Sequence, residues 1–279
     1  MTATWIDTHA HLNDVQFDAD RADALQRAQD AGVQRVVEVA ESPEMWDKAI
    51  ALAEKYLFVY AALGIHPHHA HLTGPDVWPT LGPRLQTLLQ HPKAIAVGEF
   101  GLDYHRMQNT KGQQLFILRA QLELARETQK PIIIHCREAN PIPPEFRCHA
   151  DLQAVLAEFY PAAHPGWAIA KPVGVIHCFS GTWEDAQFYM ARGFLLGVDG
   201  PATYPSAKPL QDIIRRMPLE RLVLETDSPY LPPQTHRGRR NESCYLPSIG
   251  DAVATLKHQT SEALATQTTA NARALFRLA

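Results

Sequence analysis

A single (β/α)8 barrel of the α/β class is the architecture the sequence predicts, on three observations. Eight short runs rich in Val, Ile and Leu recur along the chain, each followed by a polar or Gly/Pro-containing turn and then by a segment of helical periodicity. The runs read as continuous apolar stretches rather than alternating ones, the pattern of strands covered on both faces and hence of a parallel sheet with crossover helices. Finally, 279 residues without a linker-like boundary suit one barrel of about 250 residues better than two doubly wound domains. Residues 1–279 are therefore expected to form one domain.

The predicted strands begin near Thr4 (TWIDTHAHL), Arg35 (RVVEVAE), Leu57 (LFVYAALGIHP), Ala94 (AIAVGEFGLDY), Pro131 (PIIIHCRE), Val173 (VGVIHCFSG), Phe194 (FLLGVDG) and Leu222 (LVLETDSPYL). Helical sequence separates them over Asp20–Ala31, Pro43–Lys55, Asp76–Gln90, Thr110–Gln129, His149–Tyr160, Thr182–Arg192 and Ser206–Arg216, and follows the last strand. Ser42-Pro43-Glu44 reads as a capping side chain before a proline at the first helical position. In Gly181-Thr182-Trp183-Glu184-Asp185, Thr182 reads as an N-cap with acids in the first turn, where they suit the helix dipole. The unit that starts at Pro131 is the longest; Leu152, Val155, Leu156 and Phe159 place its helix late, so residues 140–148, with NPIPPEFR at Asn140–Arg147, form an excursion on the barrel rim. A tolerated surface insertion and a substrate-shaping lip both account for it.

Composition narrows the class. With 46% hydrophobic and 20% charged residues the chain can bury a core, which excludes a disordered protein. The longest apolar run, Tyr56 to Ile65, is far shorter than the ~18 residues of a membrane span, and MTATWIDTHAHL shows no basic and apolar leader. A cytoplasmic protein with no membrane association is the expectation. Cys136, Cys148, Cys178 and Cys244 form no CxxC pair and are expected to be reduced thiols. A net charge of −4 argues against a basic exterior that grips nucleic acid, while leaving room for a phosphate site inside a cleft.

The informative residues fall where apolar strands run out, the face of a barrel that carries chemistry. Strand one ends in Asp7-Thr8-His9-Ala10-His11, whose two histidines are two residues apart and share one side of the strand. Strand four ends in Gly98-Glu99-Phe100-Gly101, strand five in His135, strand six in His177 and strand eight in Glu225-Thr226-Asp227. One such case would be a hydrogen-bonded core residue or a helix cap. Five strands of eight ending in His, Glu or Asp are hard to explain by packing, because an ionisable group at the end of an apolar strand needs a partner charge.

Four histidines and two carboxylates are too many for one open catalytic ion and suit two divalent ions. The expected sets are His9, His11, Glu99 and Asp227 for one, and Glu99, His135 and His177 for the other, with Glu99 as the bridge across ~3.5–4 Å. Asp227 is the candidate to hold the proton of the attacking water, and Glu99 and Asp227 are the expected catalytic pair. Hard carboxylates and borderline imidazoles together admit Mg, Mn or Zn. Cys136 and Cys178 each follow a ligand by one residue, so strand alternation turns them away from the ions.

Two further groups suggest substrate contacts. His66 lies in Gly64-Ile65-His66-Pro67-His68-His69 at the end of strand three, where an imidazole can hold a phosphate oxygen, and at least two of His68, His69 and His71 read as solvated loop residues. Arg237 and Arg239, with Arg240, lie in Thr235-His236-Arg237-Gly238-Arg239-Arg240-Asn241, equally readable as a phosphate-binding loop or an exposed basic one.

Taken together, DTHAHL (7–12), GIHPH (64–68), GEFGLDY (98–104), HCREA (135–139), HCFSG (177–181), ETDSPYL (225–231) and RGRRNES (237–243) resemble the TatD family of metal-dependent deoxyribonucleases among the amidohydrolase-like barrels, from Ile6 to Asn271. The resemblance implies that His9, His11, Glu99, His135, His177 and Asp227 are the ligands of two metals, and that His66 and His68 meet substrate phosphate. It also implies divalent-cation-dependent hydrolysis of DNA, often 3′ to 5′ on single strands and commonly with magnesium. Phe100 stands where an aliphatic residue is usual, Ser243 replaces a proline and leaves its loop less rigid, and the 140–147 excursion is longer than in relatives, which bears on substrate preference. A related barrel hydrolase of lactones, amides or small phosphotriesters is the first alternative; many such enzymes bridge their ions with a modified Lys on strand four, where this chain has Glu99. A non-catalytic binding scaffold is the second, and it would have no reason to keep all six ligands. No obligate protein partner is expected.

Overall fold

The computed structural model describes residues 3–143, 145–162 and 171–278. Strands β1 (Trp5–Ala10), β2 (Val33–Ala40), β3 (Val59–Leu63), β4 (Ala94–Asp103), β5 (Ile132–Arg137), β6 (Gly174–Ile176), β7 (Phe194–Val198) and β8 (Leu222–Leu224) pair in parallel and in chain order. The ring closes through a bridge between Ala10 and Ser228 and through Asp227 N–H donating to His9 O at 2.9 Å. This is the predicted (β/α)8 barrel. The crossovers are α1 (Arg21–Asp30), α2 (Trp46–Lys55), α3 (Trp78–Leu88), α4 (Lys111–Thr128), α5 (Cys148–Phe159), α6 (Trp183–Met190) and α7 (Lys208–Arg216), and β8 leads to α8 (Leu246–Lys257) and α9 (Ser261–Phe276). Among the described residues no helix is long and apolar enough to cross a membrane.

Two apolar layers hold the barrel. The larger lies between the outer sheet face and the helices; Phe100, unusual at its place in the motif, is fully buried there. The smaller fills the inside, where Ile6, Val37, Ala62, Ile133, Val175 and Val223 are met by Leu275 and Phe276 of α9. The last helix therefore plugs the end of the barrel opposite the strand C-termini.

Several boundaries differ from expectation for identifiable reasons. Helix α2 starts at Trp46, not Pro43: Met45 N–H donates to Ser42 O at 2.9 Å, so Ser42 belongs to a turn ahead of the helix and its side chain caps nothing. Helices α3 and α7 likewise begin two residues late, each with a proline in its first turn. At α6 the expected cap is present: Thr182 Oγ1 accepts from Asp185 N–H at 3.2 Å and the Asp185 carboxylate accepts from Thr182 N–H at 2.8 Å. The 140–147 excursion leads from β5 into α5; its Pro144 lies outside the described residues.

Candidate active site

The ends of β1, β4, β5, β6 and β8 converge at one mouth of the barrel. In β1 the pairing with β2 shifts register between Asp7 and Ala10, and the rings of His9 and His11 meet with their Nε2 atoms 3.3 Å apart. Asp7 anchors this segment: its buried carboxylate accepts from Thr226 N–H at 2.9 Å and Thr226 Oγ1 at 2.6 Å, tying β1 to the loop that carries Asp227.

Glu99 is placed by an irregularity. Val97 pairs with Ile132 and Phe100 with Ile134, so β4 carries one residue more than β5 over this interval, a bulge that re-aims a side chain. The flanking glycines make it possible: a Cβ on Gly98 would lie 2.7 Å from the Ile133 Cβ, and one on Gly101 only 1.9 Å from the His135 carbonyl oxygen. Glu99 is thereby turned into the mouth and is 3% exposed. Its Oε1 faces His9 Nε2 at 3.8 Å and His66 Nε2 at 3.9 Å, and its Oε2 faces His135 Nδ1 at 3.2 Å and His177 Nε2 at 3.7 Å.

Asp227 closes the ring of donors. Its Oδ1 is 3.3 Å from His11 Nε2, 3.8 Å from His9 Nε2 and 3.7 Å from His177 Nε2. The residue has φ of 57°, a left-handed conformation that Asp tolerates better than most side chains, and Tyr230 N–H holds its carbonyl at 2.8 Å. Three sets of donor atoms each gather within 4.8 Å: His9 with Glu99 and His177, His9 with His11 and Asp227, and His66 with Glu99 and His135.

Of the second ring nitrogens, those of His11 and His135 are hydrogen-bonded to a carbonyl and a carboxylate, as in metal-binding imidazoles, whereas that of His177 stands beside a carboxylate without hydrogen-bond geometry and that of His9 has no partner among the described residues. His11 Nδ1 lies 3.2 Å from Val39 O, His177 Nδ1 lies 3.0 Å from Glu225 Oε1, and His135 Nε2 lies 3.2 Å from Asp103 Oδ2. The site fits cations for a second reason, its charge. The cleft, about 420 Å3, is lined by Glu41, Glu99, Asp103 and Asp227 against the two guanidiniums of Arg106 and Arg137. Burial by itself would raise the Glu99 pKa, but His9, His177 and His66 outweigh it and hold the carboxyl well below its usual range. Burial likewise works to strip protons from His135 and His177; Asp103 and Glu99 raise the first to about 9, and Glu225 and Glu99 raise the second to about 10. Protonation is thus favoured on His135 and His177, whereas burial and the neighbouring imidazoles push His9 and His66 well below the ordinary imidazole value, which keeps them neutral, the form in which a ring nitrogen can ligate a metal.

All six expected ligands lie at this mouth, and His66 and His68 line the same cleft. His68 Nε2 is turned to Asp103 Oδ2 at 2.9 Å. Arg237 and Arg239 are exposed and absent from the cleft lining; Arg237 lies over the Tyr204 ring at 4.8 Å. Arg240 is engaged in structure, with both terminal nitrogens on Asp20 at 2.7 and 2.8 Å. The RNES loop, where Ser243 replaces a proline, is pinned by Asn241, whose amide donates to Thr226 O and Tyr230 O at 2.7 Å. Cys136 is buried against Cys148, with 3.4 Å between their sulfurs, away from the donors as expected. The sequence reading missed Asp103, Glu225, Arg106 and Arg137. The first two carry the same signal as the ligands, an acid at a strand end, but each follows close on a carboxylate already assigned or precedes one.

Comparison with known proteins agrees with this geometry. The model of the family described as TatD related DNase matches residues 6–277. The chain is 38% identical to the uncharacterized metal-dependent hydrolase YabD of Bacillus subtilis, over 98% of both chains. It is 37% identical to a protein of Pantoea vagans named 3′-5′ ssDNA/RNA exonuclease TatD, over 98% of this chain and 99% of that one. The crystal structure of the TatD homolog YJJV from Escherichia coli superposes with a TM-score of 0.84 at 31% identity, covering both chains completely. The chain belongs to the TatD-related DNase family and is a metal-dependent hydrolase.

Proposed function

We propose that the protein hydrolyses phosphodiester bonds at the 3′ end of single-stranded DNA, using two divalent cations drawn from Mg, Mn and Zn. The observation that carries the reading is the central place of Glu99: one carboxylate oxygen faces His9 and His66 and the other faces His135 and His177. One ion would then take His9, His11, Asp227 and Glu99, and the other Glu99, His135 and His177. When bound, the pair supplies Lewis-acid charge for water activation and for the phosphate.

The chain's own groups do the rest. The Asp227 carboxylate opens onto the cleft and takes a proton from the attacking water. Asp103 holds the His135 ring by a hydrogen bond, and the Glu225 carboxylate places a buried negative charge beside the His177 ring. His66 and His68 stand on the β3 side of the cleft as phosphate contacts, and Arg106 and Arg137 on its rim suit phosphates flanking the scissile bond. Arg237 and Arg239, outside the lining, would meet only the strand beyond the cleft. The name of the Pantoea relative supports the direction of digestion.

The test is release of mononucleotides from single-stranded oligonucleotides labelled at either end, with Mg or Mn added, alongside lactone, amide and phosphotriester substrates. Glu99→Ala is expected to abolish turnover and lower metal occupancy, and Asp227→Asn to abolish turnover. Metal-loaded protein that releases nothing from DNA, or full activity in both variants, refutes the reading.

A further inference from the structure

A second cavity, about 700 Å3, opens beside the catalytic cleft at the N-terminal ends of α5 and α6 and along one side of α7. The two are neighbours: Glu138 and Ser180 of this cavity each follow, by three residues, His135 and His177 of the cleft. Its volume falls in the range of ligand sites, ~300–1,000 Å3.

Its wall contains groups that the fold leaves unused. Trp183 is half-buried and carries the Arg216 guanidinium over its ring at 4.0 Å. Among the described residues neither Arg216 nor Arg147 pairs with a carboxylate, because the acids of the wall are engaged elsewhere. Glu138 accepts from Cys148 N–H and His149 N–H at 2.9 Å, Asp185 accepts from Thr182 N–H at 2.8 Å, and Asp212 pairs with Arg215. His149, also in the wall, is 4% exposed. Its Nδ1 lies 2.8 Å from Tyr189 Oη, while its Nε2 has no partner among the described residues. Its ring atom Cε1 faces Gly181, where an added Cβ would come within 2.9 Å, so the small residue there leaves room for the ring.

Uncommitted guanidiniums beside an aromatic platform are the means by which proteins bind single strands: bases stack on the ring and cations follow the backbone. We propose that this cavity receives an upstream nucleotide of the single strand whose 3′ end lies in the cleft, with its base on Trp183 and its phosphate on Arg147 and Arg216. The assignment rests on the proposed exonuclease reading. It also gives the 140–147 excursion a role, since Arg147 belongs to it.

The experiment is fluorescence anisotropy of labelled single-stranded dT8 with full-length protein in EDTA, over a salt series. Trp183→Ala is expected to weaken binding about fivefold to a hundredfold, the loss of one stacked base, without changing the salt slope. Trp183→Phe should restore most of the affinity. The double variant Arg147→Gln/Arg216→Gln should lower the slope of log K against log salt by about 1.4, as expected for two lost contacts to a single strand. Arg126→Gln, on α4 outside both cavities, should bind as wild type, and thermal unfolding should show every variant folded. Wild-type affinity in Trp183→Ala, or a wild-type slope in the double variant, overturns the proposal. Binding of dT8 through Trp183 without nucleotide release in Mg or Mn refutes the exonuclease activity and leaves the cavity assignment standing.

Discussion

Replacing Glu225 by Gln tests whether the rings at the mouth are tuned from behind. Glu225 is fully buried; its Oε1 accepts from Cys178 N–H at 2.6 Å and lies 3.0 Å from His177 Nδ1, and its Oε2 lies 3.3 Å from Thr8 Oγ1. Gly197 clamps it, since a Cβ there would come 2.3 Å from Oε1. In Glu225→Gln the amide oxygen can occupy the Oε1 place and keep the bond from Cys178 N–H, while the amide NH2 faces a hydroxyl able to accept. Shape and hydrogen bonds survive and the negative charge is lost. Outer partners of ligating imidazoles are worth about 10–100-fold in metal affinity, or ~1.4–2.7 kcal/mol, so Mn2+ affinity should fall by that factor. Calorimetric titration of Mn2+ measures it, and melting of the metal-free protein separates affinity from stability. Glu225→Ala differs in kind: it leaves the Cys178 N–H buried and unmatched and opens a cavity beside His177, and should cost about 2–5 kcal/mol of stability. Wild-type Mn2+ affinity in Glu225→Gln would refute the claim that this carboxylate tunes His177.

Two further outcomes follow from the fold. Gly101→Ala should destabilise by about 3 kcal/mol or more and lower metal occupancy, because its Cβ would fall 1.9 Å from the His135 carbonyl oxygen, against a fixed neighbouring strand; chemical denaturation with an unchanged midpoint would contradict this. Glu242 carries a pH dependence: burial raises its pKa, but the guanidiniums of Arg27 and Arg240 outweigh burial and hold it below the usual carboxylate value. A depressed folded-state pKa gives stability that is present above the unfolded value, ~4.3, and lost as pH falls through the folded one. Glu242→Gln should therefore melt below wild type at neutral pH, with the gap closing in acid; a gap independent of pH would refute the ion-pair account.

The candidate donor set is legible because it follows from one rule, that a charged side chain at the end of a strand buried on both faces must meet a partner. His9, His11, Glu99, His135, His177 and Asp227 all obey it, and the barrel brings them within reach of one another. Ser42 misled, since Ser-Pro-Glu satisfies the local pattern of a helix start while the backbone there prefers a turn closed by Met45 N–H. For Arg237 and Arg239 the sequence leaves a phosphate-binding loop and an exposed basic one equally open, because a local motif does not say which way a loop after β8 faces; the guanidiniums lining the cleft are Arg106 and Arg137.

By itself, then, the sequence determined the eight-fold βα repeat, its parallel strands and the residue types available for chemistry, because strand and helix periodicities are local and the burial pattern records which elements are covered. What only the tertiary structure decided is direction. The extra residue in β4 that turns Glu99 inward, the carboxylates of Glu225 and Asp103 behind the rings, and the placement of Arg147 beside Trp183 and His149 in a second cavity all depend on contacts between segments distant in the chain. Such contacts are fixed by packing and register across the closed barrel, which no local pattern encodes.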